Sequence, residues 1–237
     1  MYDPIPMSGG YDTYIPNQDV GANTGTTETL SATDPGNWSV VANAVPYGYL
    51  GVQTFPDTQQ LTNDWCGTGW DNGRPGSPSC ANPTDTPLSA LSALQVSYSE
   101  TGPRDANSIY EFAPDIWTEG YPSDVMFWTD VQGRCDPGAY GGTVLGTATF
   151  GGQTWTVNRY GGPGAEIIFV LDSDPNVANS CSQQTSGTVD LKAGFDWLIA
   201  HGIMSSVIFT QINTGFEITS ADSTTFTMNS YSITAAP

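Results

Sequence analysis

The sequence predicts an all-β fold, an antiparallel sandwich that carries a single amphipathic helix. Short runs rich in Val, Ile, Thr and aromatic residues alternate with clusters of Gly, Pro, Asn and Asp, which is typical of strands and turns. Gly151-Gly152 separates two of these runs by only two residues and supplies the positive φ angles that a tight hairpin requires. One other segment repeats its apolar residues every three to four positions instead of every two, which predicts a helix.

The predicted strands follow one another along most of the chain. They are NWSVVANA (37–44), LQVSYSE (94–100), SIYEFAPDIWT (108–118), DVMFWTDV (124–131), TVLGTATF (143–150), QTWTVNRY (153–160), EIIFVLD (166–172), SVIFTQINTGFEIT (206–219) and TTFTMNSYSITA (224–235). The helix is expected within residues 188–202, with Thr188 as N-cap, Gly202 as stop and an apolar face of Leu191, Phe195, Leu198 and Ile199. Residues 66–87 are expected to form a long loop, and residues 1–10 an irregular N-terminal arm of a single domain covering 1–237.

The charge of the chain excludes several classes of partner. Five Lys and Arg against 24 Asp and Glu give a formal charge of −19, which repels nucleic acids and anionic membrane surfaces. No apolar run is long enough to span a membrane, and MYDPIPMSGG has no signal-peptide pattern. Met1 is therefore expected to replace a removed signal sequence of a secreted protein.

The four cysteines support that expectation of secretion. None lies in a CxxC spacing, so two disulfides in an oxidising compartment fit better than a zinc site. Three pairings are possible, and we expect Cys66–Cys80, which closes one loop, and Cys135–Cys181; four free buried thiols are the alternative.

His201, the only histidine, lies at the end of the predicted helix, where a favourable interaction with the helix dipole accounts for it. We expect no metal and no cofactor.

Carboxylates are the remaining groups that could carry chemistry. Side chains alternate between the two faces of a strand, so each strand can be sorted into faces. The sets that share a face are Asp115 with Trp117; Asp124 with Met126, Trp128 and Asp130; and Asn213 with Gly215 and Glu217. Carboxylates interleaved with Trp suit sugar recognition, and two of them across a glycosidic bond suit hydrolysis. Ordinary solvated strand residues are the alternative.

The run SIYEFAPDIWTEGYPSDVMFWTD resembles the central strands of glycoside hydrolase family 12, which contains endo-β-1,4-glucanases and xyloglucanases. GTATFGGQTWTV, VDLKAGFDWLIAHGIM and INTGFEITSADSTTFTMNSYSITA follow in the same order as the hairpin, helix and closing strands of that family. The likeness thins upstream but continues through NQDVG and SATDPGNWSV, so it covers about residues 11–237. It implies a concanavalin-like β-jelly roll of two antiparallel sheets, with the sugar chain across a concave face.

The resemblance also implies roles for individual residues. Glu217 would be the general acid/base, Asp124 would stand in the place of the nucleophilic Glu, and Asp115 would hydrogen-bond the nucleophile. Met126, Trp128, Trp117, Asn17 and Asn213 would bind the sugar. The chain departs from the pattern in two places, since Asp124 is one methylene shorter than Glu and Val20 stands where the family has a Trp.

Three functions remain open on the sequence alone. The first is a secreted, monomeric, endo-acting hydrolase that degrades a β-linked polysaccharide such as a β-1,4-glucan or xyloglucan, by a retaining mechanism at acidic pH. The second is a carbohydrate-binding protein with little or no turnover on the same fold. The third is a glycosidase of the same fold with another substrate, or an inverting one that uses Asp124 as base.

Overall fold

A computed structural model describes residues 13–14, 25–34, 36–46, 51–61, 87–118, 124–133, 142–161, 166–205 and 209–236. Its strands are β1 (Thr13–Tyr14), β2 (Thr27–Asp34), β3 (Asn37–Ala44), β4 (Asp57–Leu61), β5 (Ala93–Thr101), β6 (Ile109–Thr118), β7 (Asp124–Trp128), β8 (Asp130–Gln132), β9 (Thr143–Phe150), β10 (Gln153–Tyr160), β11 (Glu166–Leu171), β12 (Ser186–Asp190) and β13 (Phe209–Ala236). One helix, α1 (Leu191–Ala200), follows β12, and a short 3-10 turn, Leu88–Ala90, precedes β5.

The strands form two sheets that share one long strand. The first sheet has the order β1-β4-β13-β6-β7-β11-β10-β9, with β8 continuing beside β6 after β7. The second sheet has the order β2-β3-β13-β5-β12. The first half of β13 pairs with β4 and β6, and its second half pairs with β3 and β5. The two strands predicted at 206–219 and 224–235 therefore belong to one continuous strand.

The main core lies where the inner faces of the two sheets meet. Alternate residues of β6 and of the first half of β13 point toward it, including Tyr110, Phe112 and Phe216. Their rings meet edge to face, with centroids 5.0 Å apart for Phe112 and Phe216 and 5.7 Å apart for Tyr110 and Phe216. Because the inner positions of these strands are filled in this way, the intervening positions face outward, and they carry the polar residues described below.

The helix packs its apolar face into the same core, as predicted. Leu191, Phe195 and Leu198 are buried, and Gly202 ends the helix with φ +67°. The predicted N-cap was wrong: Thr188 lies in β12, and Asp190 caps the helix by accepting a hydrogen bond of 3.0 Å from the backbone N–H of Ala193. A carboxylate can occupy the position because the unpaired N–H groups of the first turn stabilise negative charge.

Most other predictions for the fold are confirmed, and the differences have local causes. The fold is all-β with one helix, and Gly151 and Gly152 have φ +61° and +75° in the predicted hairpin between β9 and β10. One neighbouring pair, β7 with β11, is parallel, whereas the other pairs are antiparallel. The sequence analysis missed β2, β4 and β12, which are rich in Thr, Ser, Asp and Gln and lack the apolar alternation of the others.

Several predictions concern residues that lie outside the described ranges. These include the N-terminal arm at 1–10, most of the loop at 66–87, and Val20; the single-domain assignment also stays a prediction. Within the described ranges, no helix is long and apolar enough to cross a membrane.

Candidate functional site

Five carboxyl side chains lie on the outer face of the first sheet, which we call the carboxyl face. Its carboxyl groups come from four neighbouring strands: Glu111 and Asp115 on β6, Asp124 on β7, Glu166 on β11 and Glu217 on β13. The alternation of each strand puts them there, because their described neighbours Tyr110, Ile116, Val125, Ile167 and Phe216 point into the core. Trp117, Asn213 and Gln211 extend the same face with groups that can bind hydroxyls.

Asp115 and Asp124 form the first of two hydrogen-bonded carboxyl pairs. In the register of β6 and β7, Asp115 lies opposite Met126 and Asp124 lies opposite Trp117, so the two carboxyls meet diagonally. The indole Nε1 of Trp117 donates to Asp115 Oδ2 at 3.2 Å, and Asn213 Nδ2 donates to the same oxygen at 3.4 Å. Asp115 is 3% exposed, so these partners stabilise a carboxyl that water scarcely reaches.

The proton shared by this first pair resides mainly on Asp124. Burial raises the pKa of Asp124 well above its usual range, and the charge of Asp115 and their hydrogen bond raise it further. The pKa of Asp115 is also raised by burial, but its hydrogen bonds with Asp124, Trp117 and Asn213 oppose that rise. The pair therefore holds one proton over a wide pH range, with Asp115 as the preferred carboxylate.

Glu111 and Glu217 form the second carboxyl pair. They lie directly opposite each other in β6 and β13, and their carboxyl groups share a hydrogen bond. Burial and then the charge of Glu111 raise the pKa of Glu217 well above its usual range. Burial raises the pKa of Glu111 to about 7, although its hydrogen bond with Glu217 lowers it. Glu217 is thus the proton donor of this pair and Glu111 the acceptor.

Glu166 interacts with both pairs through its charge, which raises the pKa of Glu111 and of Asp124. It begins β11, which runs parallel to β7 with Ile167 beside Val125, so Glu166 is level with Asp124. Burial, followed by the charges of Glu217 and Asp115, raises its pKa to about 8. The charge of Glu217 also contributes to the raised pKa of Asp124, so the two pairs interact although their members on β6, Glu111 and Asp115, are four residues apart.

An apolar cluster lies beside the carboxyls on the same face. It consists of Ala113, Met126, Trp128, Val131, Ile168 and Val170, against which Cys181 packs. Met126 is 2% exposed and Trp128 is 5% exposed. The predicted sugar-binding residues Met126 and Trp128 thus both offer little surface to a ligand, although Met126 lies opposite Asp115.

The structure brings together most of the residues that the sequence singled out. Asp115, Asp124, Met126, Trp117 and Asn213 form one group, and Glu217 reaches the group through its charge. Their roles stay predictions.

Two of the predicted site residues have other outcomes. Asn17 lies outside the described residues. The expectation that Asp130 shares the face of Asp124 was wrong, because Thr129 and Asp130 both stand opposite Phe112 and this bulge turns Asp130 into the core.

Cys181 and His201 add no ionisable group to the carboxyl face. Cys181 is disulfide-bonded, but the other three cysteines lie outside the described residues, so both predicted pairings stay predictions. His201 Nδ1 lies 2.8 Å from the backbone oxygen of Trp197 at the end of α1, away from the carboxyls. Within the described ranges, no three His, Cys, Asp or Glu side chains are arranged to hold a metal ion.

The sequence analysis missed two carboxyls of the site. Glu111 could have been found, because counting back by twos from Asp115 along the same strand leads to it. Glu166 carried no such signal, since only the parallel pairing of β11 with β7 brings it level with Asp124.

The arrangement combines a proton-holding carboxyl, an ionisable partner across the sheet and groups that bind sugar hydroxyls. Carboxylic acid and carboxylate in one site are the two reagents of glycosidic bond hydrolysis. Beside them the partly exposed Trp117 can contact a carbohydrate, whereas Asn213 and Gln211 are buried and hydrogen-bond Asp115 and each other.

Comparison with known proteins gives relatives in sequence and in fold, although no protein-family profile matches the chain. The chain is 28% identical over 178 residues to xyloglucan-specific endo-β-1,4-glucanase A of Emericella nidulans, an alignment that covers 70% of each protein. It is also 28% identical over 160 residues to a probable xyloglucan-specific endo-β-1,4-glucanase A of Aspergillus oryzae, covering 64% of this chain and 62% of that protein.

Solved structures share the fold over almost the whole chain. The xyloglucanase domain of NopAA, a type three effector from Sinorhizobium fredii solved in complex with cellobiose, matches with a TM-score of 0.71 at 22% identity, over 99% of this chain and 97% of that one. Endoglucanase cel12A from Rhodothermus marinus matches with a TM-score of 0.73 at 20% identity, over 99% and 96% of the two chains. A metagenome-derived glycoside hydrolase family 12 endoglucanase matches with a TM-score of 0.69 at 20% identity, over 99% and 95%. The chain therefore has the β-jelly-roll fold of glycoside hydrolase family 12 and resembles xyloglucan-specific endo-β-1,4-glucanases in sequence.

Proposed function

We propose that the protein is an endo-acting glycoside hydrolase that cleaves a β-linked glucan, either a β-1,4-glucan or xyloglucan. The observation that carries the proposal is the pairing of carboxyls on one sheet face, where Glu217 pairs with Glu111 and Asp124 pairs with Asp115. The sequence relatives support the substrate class, because the proteins of Emericella nidulans and Aspergillus oryzae are named as xyloglucan-specific endo-β-1,4-glucanases.

In the mechanism that we propose, Glu217 protonates the glycosidic oxygen as the bond to the leaving sugar breaks. Asp124 attacks the anomeric carbon and forms a glycosyl-enzyme ester, and Glu217, now ionised, then removes a proton from the water that hydrolyses the ester. Asp124 must be ionised to attack, so the proton that it shares with Asp115 must first leave the pair. Hydrogen bonds from Trp117 and Asn213 hold Asp115 beside Asp124.

An inverting reaction is the second candidate, and two observations favour it. Asp124 and Glu217 lie opposite residues six positions apart along β6, which is about 20 Å of strand at about 3.3 Å per residue, so their carboxyls can approach only through their side chains. Asp124 is also shorter than the glutamate that the resemblance places there. Both observations favour a wide gap in which Asp124 would activate a water, as in inverting enzymes with carboxyls about 6.5–9.5 Å apart.

The pH dependence follows from the raised pKa values of both groups. Turnover requires Asp124 ionised and Glu217 protonated, so the rate rises as pH passes the pKa of Asp124 and falls as pH passes that of Glu217. Because both pKa values are raised, both limbs should lie above the usual carboxyl range of about 4. The acidic optimum expected from the sequence is therefore displaced toward neutral pH.

The test is a reducing-end assay on xyloglucan, mixed-linkage β-glucan, amorphous cellulose and xylan, beside a binding assay on the same polysaccharides. Glu217→Gln should lower turnover by about 10²–10⁴-fold and leave binding intact, because the amide cannot donate the proton. Asp196→Asn, which changes an exposed carboxylate paired with Lys192 on α1, is the matched control. Binding without turnover by the wild type would instead establish a carbohydrate-binding protein.

The stereochemistry is tested separately from the activity. Proton NMR of the first product formed from a β-glucan oligosaccharide distinguishes the two candidates, since a β-anomer indicates retention and an α-anomer indicates inversion.

We also propose that the protein is a secreted monomer with two disulfides, Cys66–Cys80 and Cys135–Cys181. The even number of cysteines and the disulfide at Cys181 support this proposal. Titration of the denatured, unreduced protein should find no free thiol, and light scattering should give the mass of one chain.

A further inference from the structure

We infer that Glu111 is a positioning residue that holds the catalytic proton on Glu217. The inference rests on the proposed function, since it assigns a partner to the proposed proton donor. Its starting point is that glycoside hydrolysis requires one carboxylic acid and one carboxylate, whereas the carboxyl face carries five carboxyls.

The geometry singles out Glu111 among the carboxyls around Glu217. Glu111 and Glu217 are direct cross-strand neighbours, and their side chains share a hydrogen bond. On its other side Glu111 faces the apolar Val131 of β8. Among the described neighbouring strands, the cross-strand partner of Glu111 that can exchange a proton with it is therefore Glu217.

The hydrogen bond has a direction that suits the role. Two carboxylates in contact repel, so the pair keeps one proton between its oxygens. The bond lowers the pKa of Glu111 and raises that of Glu217, which makes Glu111 the accepting carboxylate and Glu217 the donating acid. Glu111 thereby fixes the orientation of the Glu217 carboxyl as well as its protonation.

Other carboxyls face the pair from neighbouring strands and act in the same sense. They are Asp115 on β6, Asp124 on β7 and Glu166 on β11. Asp115 raises the pKa of Glu217 through its charge, but only Glu111 also shares a hydrogen bond with it. Removing the charge of Glu111 should therefore affect Glu217 most strongly.

The experiment compares Glu111→Gln with the wild type over pH 4–9. Glutamine can donate or accept one hydrogen bond but carries no charge, so Glu217 should lose its proton at lower pH. We expect the alkaline limb of the kcat/KM profile to move down by about one pH unit, which is a tenfold loss on that limb. The rate at the acidic end should stay within about threefold of the wild type, because Glu217 is protonated there in both proteins.

Two further variants exclude a merely structural effect. Glu111→Asp keeps the carboxylate and should restore much of the alkaline limb, whereas Asp196→Asn should leave the whole profile unchanged. An unmoved alkaline limb in Glu111→Gln, or an equal loss at all pH values, would overturn the inference.

A readout without turnover separates this inference from the proposed function. Carboxyl ¹³C NMR of protein labelled in glutamate can follow Glu217 directly, because its resonance is the one missing from the spectrum of Glu217→Gln. In Glu111→Gln this resonance should titrate at lower pH than in the wild type. If the wild type is inactive but the titration of Glu217 moves in Glu111→Gln, the proposed function is refuted and the role of Glu111 is supported. If the wild type is active but the titration of Glu217 does not move, the role of Glu111 is refuted and the proposed function stands.

Discussion

Replacing Glu100 by Gln should stabilise the protein at neutral pH, and the effect can be worked out from a buried cluster between the two sheets. Glu100 on β5 and Asp130 on β8 approach each other from the two sheets and share a hydrogen bond. Arg104 Nη2 lies 2.8 Å from Asp130 Oδ2, and the Tyr110 hydroxyl donates to the same oxygen at 3.1 Å. Glu100 is only 3% exposed, so water stabilises its charge poorly.

The size of the effect follows from the pKa of Glu100. Burial, and then the charge of Asp130, raises that pKa from 4.5 to about 9. Because the pKa is raised, the contribution of protonated Glu100 to the free energy of unfolding is fully present below pH 4.5 and is lost as pH rises toward 9. At pH 7, about 2.5 units above the pKa of 4.5 in the unfolded chain, folding must protonate Glu100, which lowers the free energy of unfolding by about 3 kcal/mol relative to pH 4. The neutral amide of Gln avoids this cost and can still donate to Asp130.

Thermal unfolding monitored by near-ultraviolet circular dichroism from pH 4 to pH 8 measures the difference. A gain of about 3 kcal/mol corresponds to about 6–12 °C in Tm for a chain of this size. The variant should match the wild type near pH 4 and exceed it increasingly toward pH 8, while Asp196→Asn should follow the wild type throughout. Parallel curves for wild type and Glu100→Gln would refute the reasoning.

Three further changes test the site and the packing. Asp115→Asn removes the charge beside Asp124 and should move the acidic limb of the pH–rate profile to lower pH. Asp124→Glu advances the carboxylate by about 1.5 Å toward the sugar and should raise hydrolysis of β-1,4-glucan, whereas a fall would show that the site is built around Asp. Gly194→Ala places a Cβ 2.5 Å from the ring of Phe127 and should cost about 1–3 kcal/mol in urea unfolding, unless the helix shifts.

Much of the fold could be predicted because its strands keep strict apolar alternation. The alternation fails at Thr129, where two residues stand opposite Phe112 and the faces exchange, and nothing in the sequence WTDV marks that bulge. Pairing between distant strands could not be predicted either, because the continuity of β13 across both sheets depends on partner strands far away in sequence.

The candidate site was predictable to the extent that it lies on single strands. Asp115 with Trp117, and Asp124 with Met126, follow from alternation alone, because each pair shares one strand. The pairing of Glu111 with Glu217 depends instead on the register of β6 and β13, which are about a hundred residues apart in sequence. Protonation could not be predicted either, since it depends on burial and on which carboxyl meets which.

The two carboxyl pairs connect the folding of this sheet to the chemistry that we propose for it. Like charges directly opposite on neighbouring strands destabilise a sheet, so Glu111 and Glu217 are tolerated because one proton lies between them. The free energy that favours this proton in the folded state is the same quantity that keeps Glu217 protonated above its ordinary pKa. If Glu217 stays protonated near neutral pH to act as general acid, the free energy of unfolding must fall as pH rises through its raised pKa. Activity and stability should therefore decline together on the alkaline side.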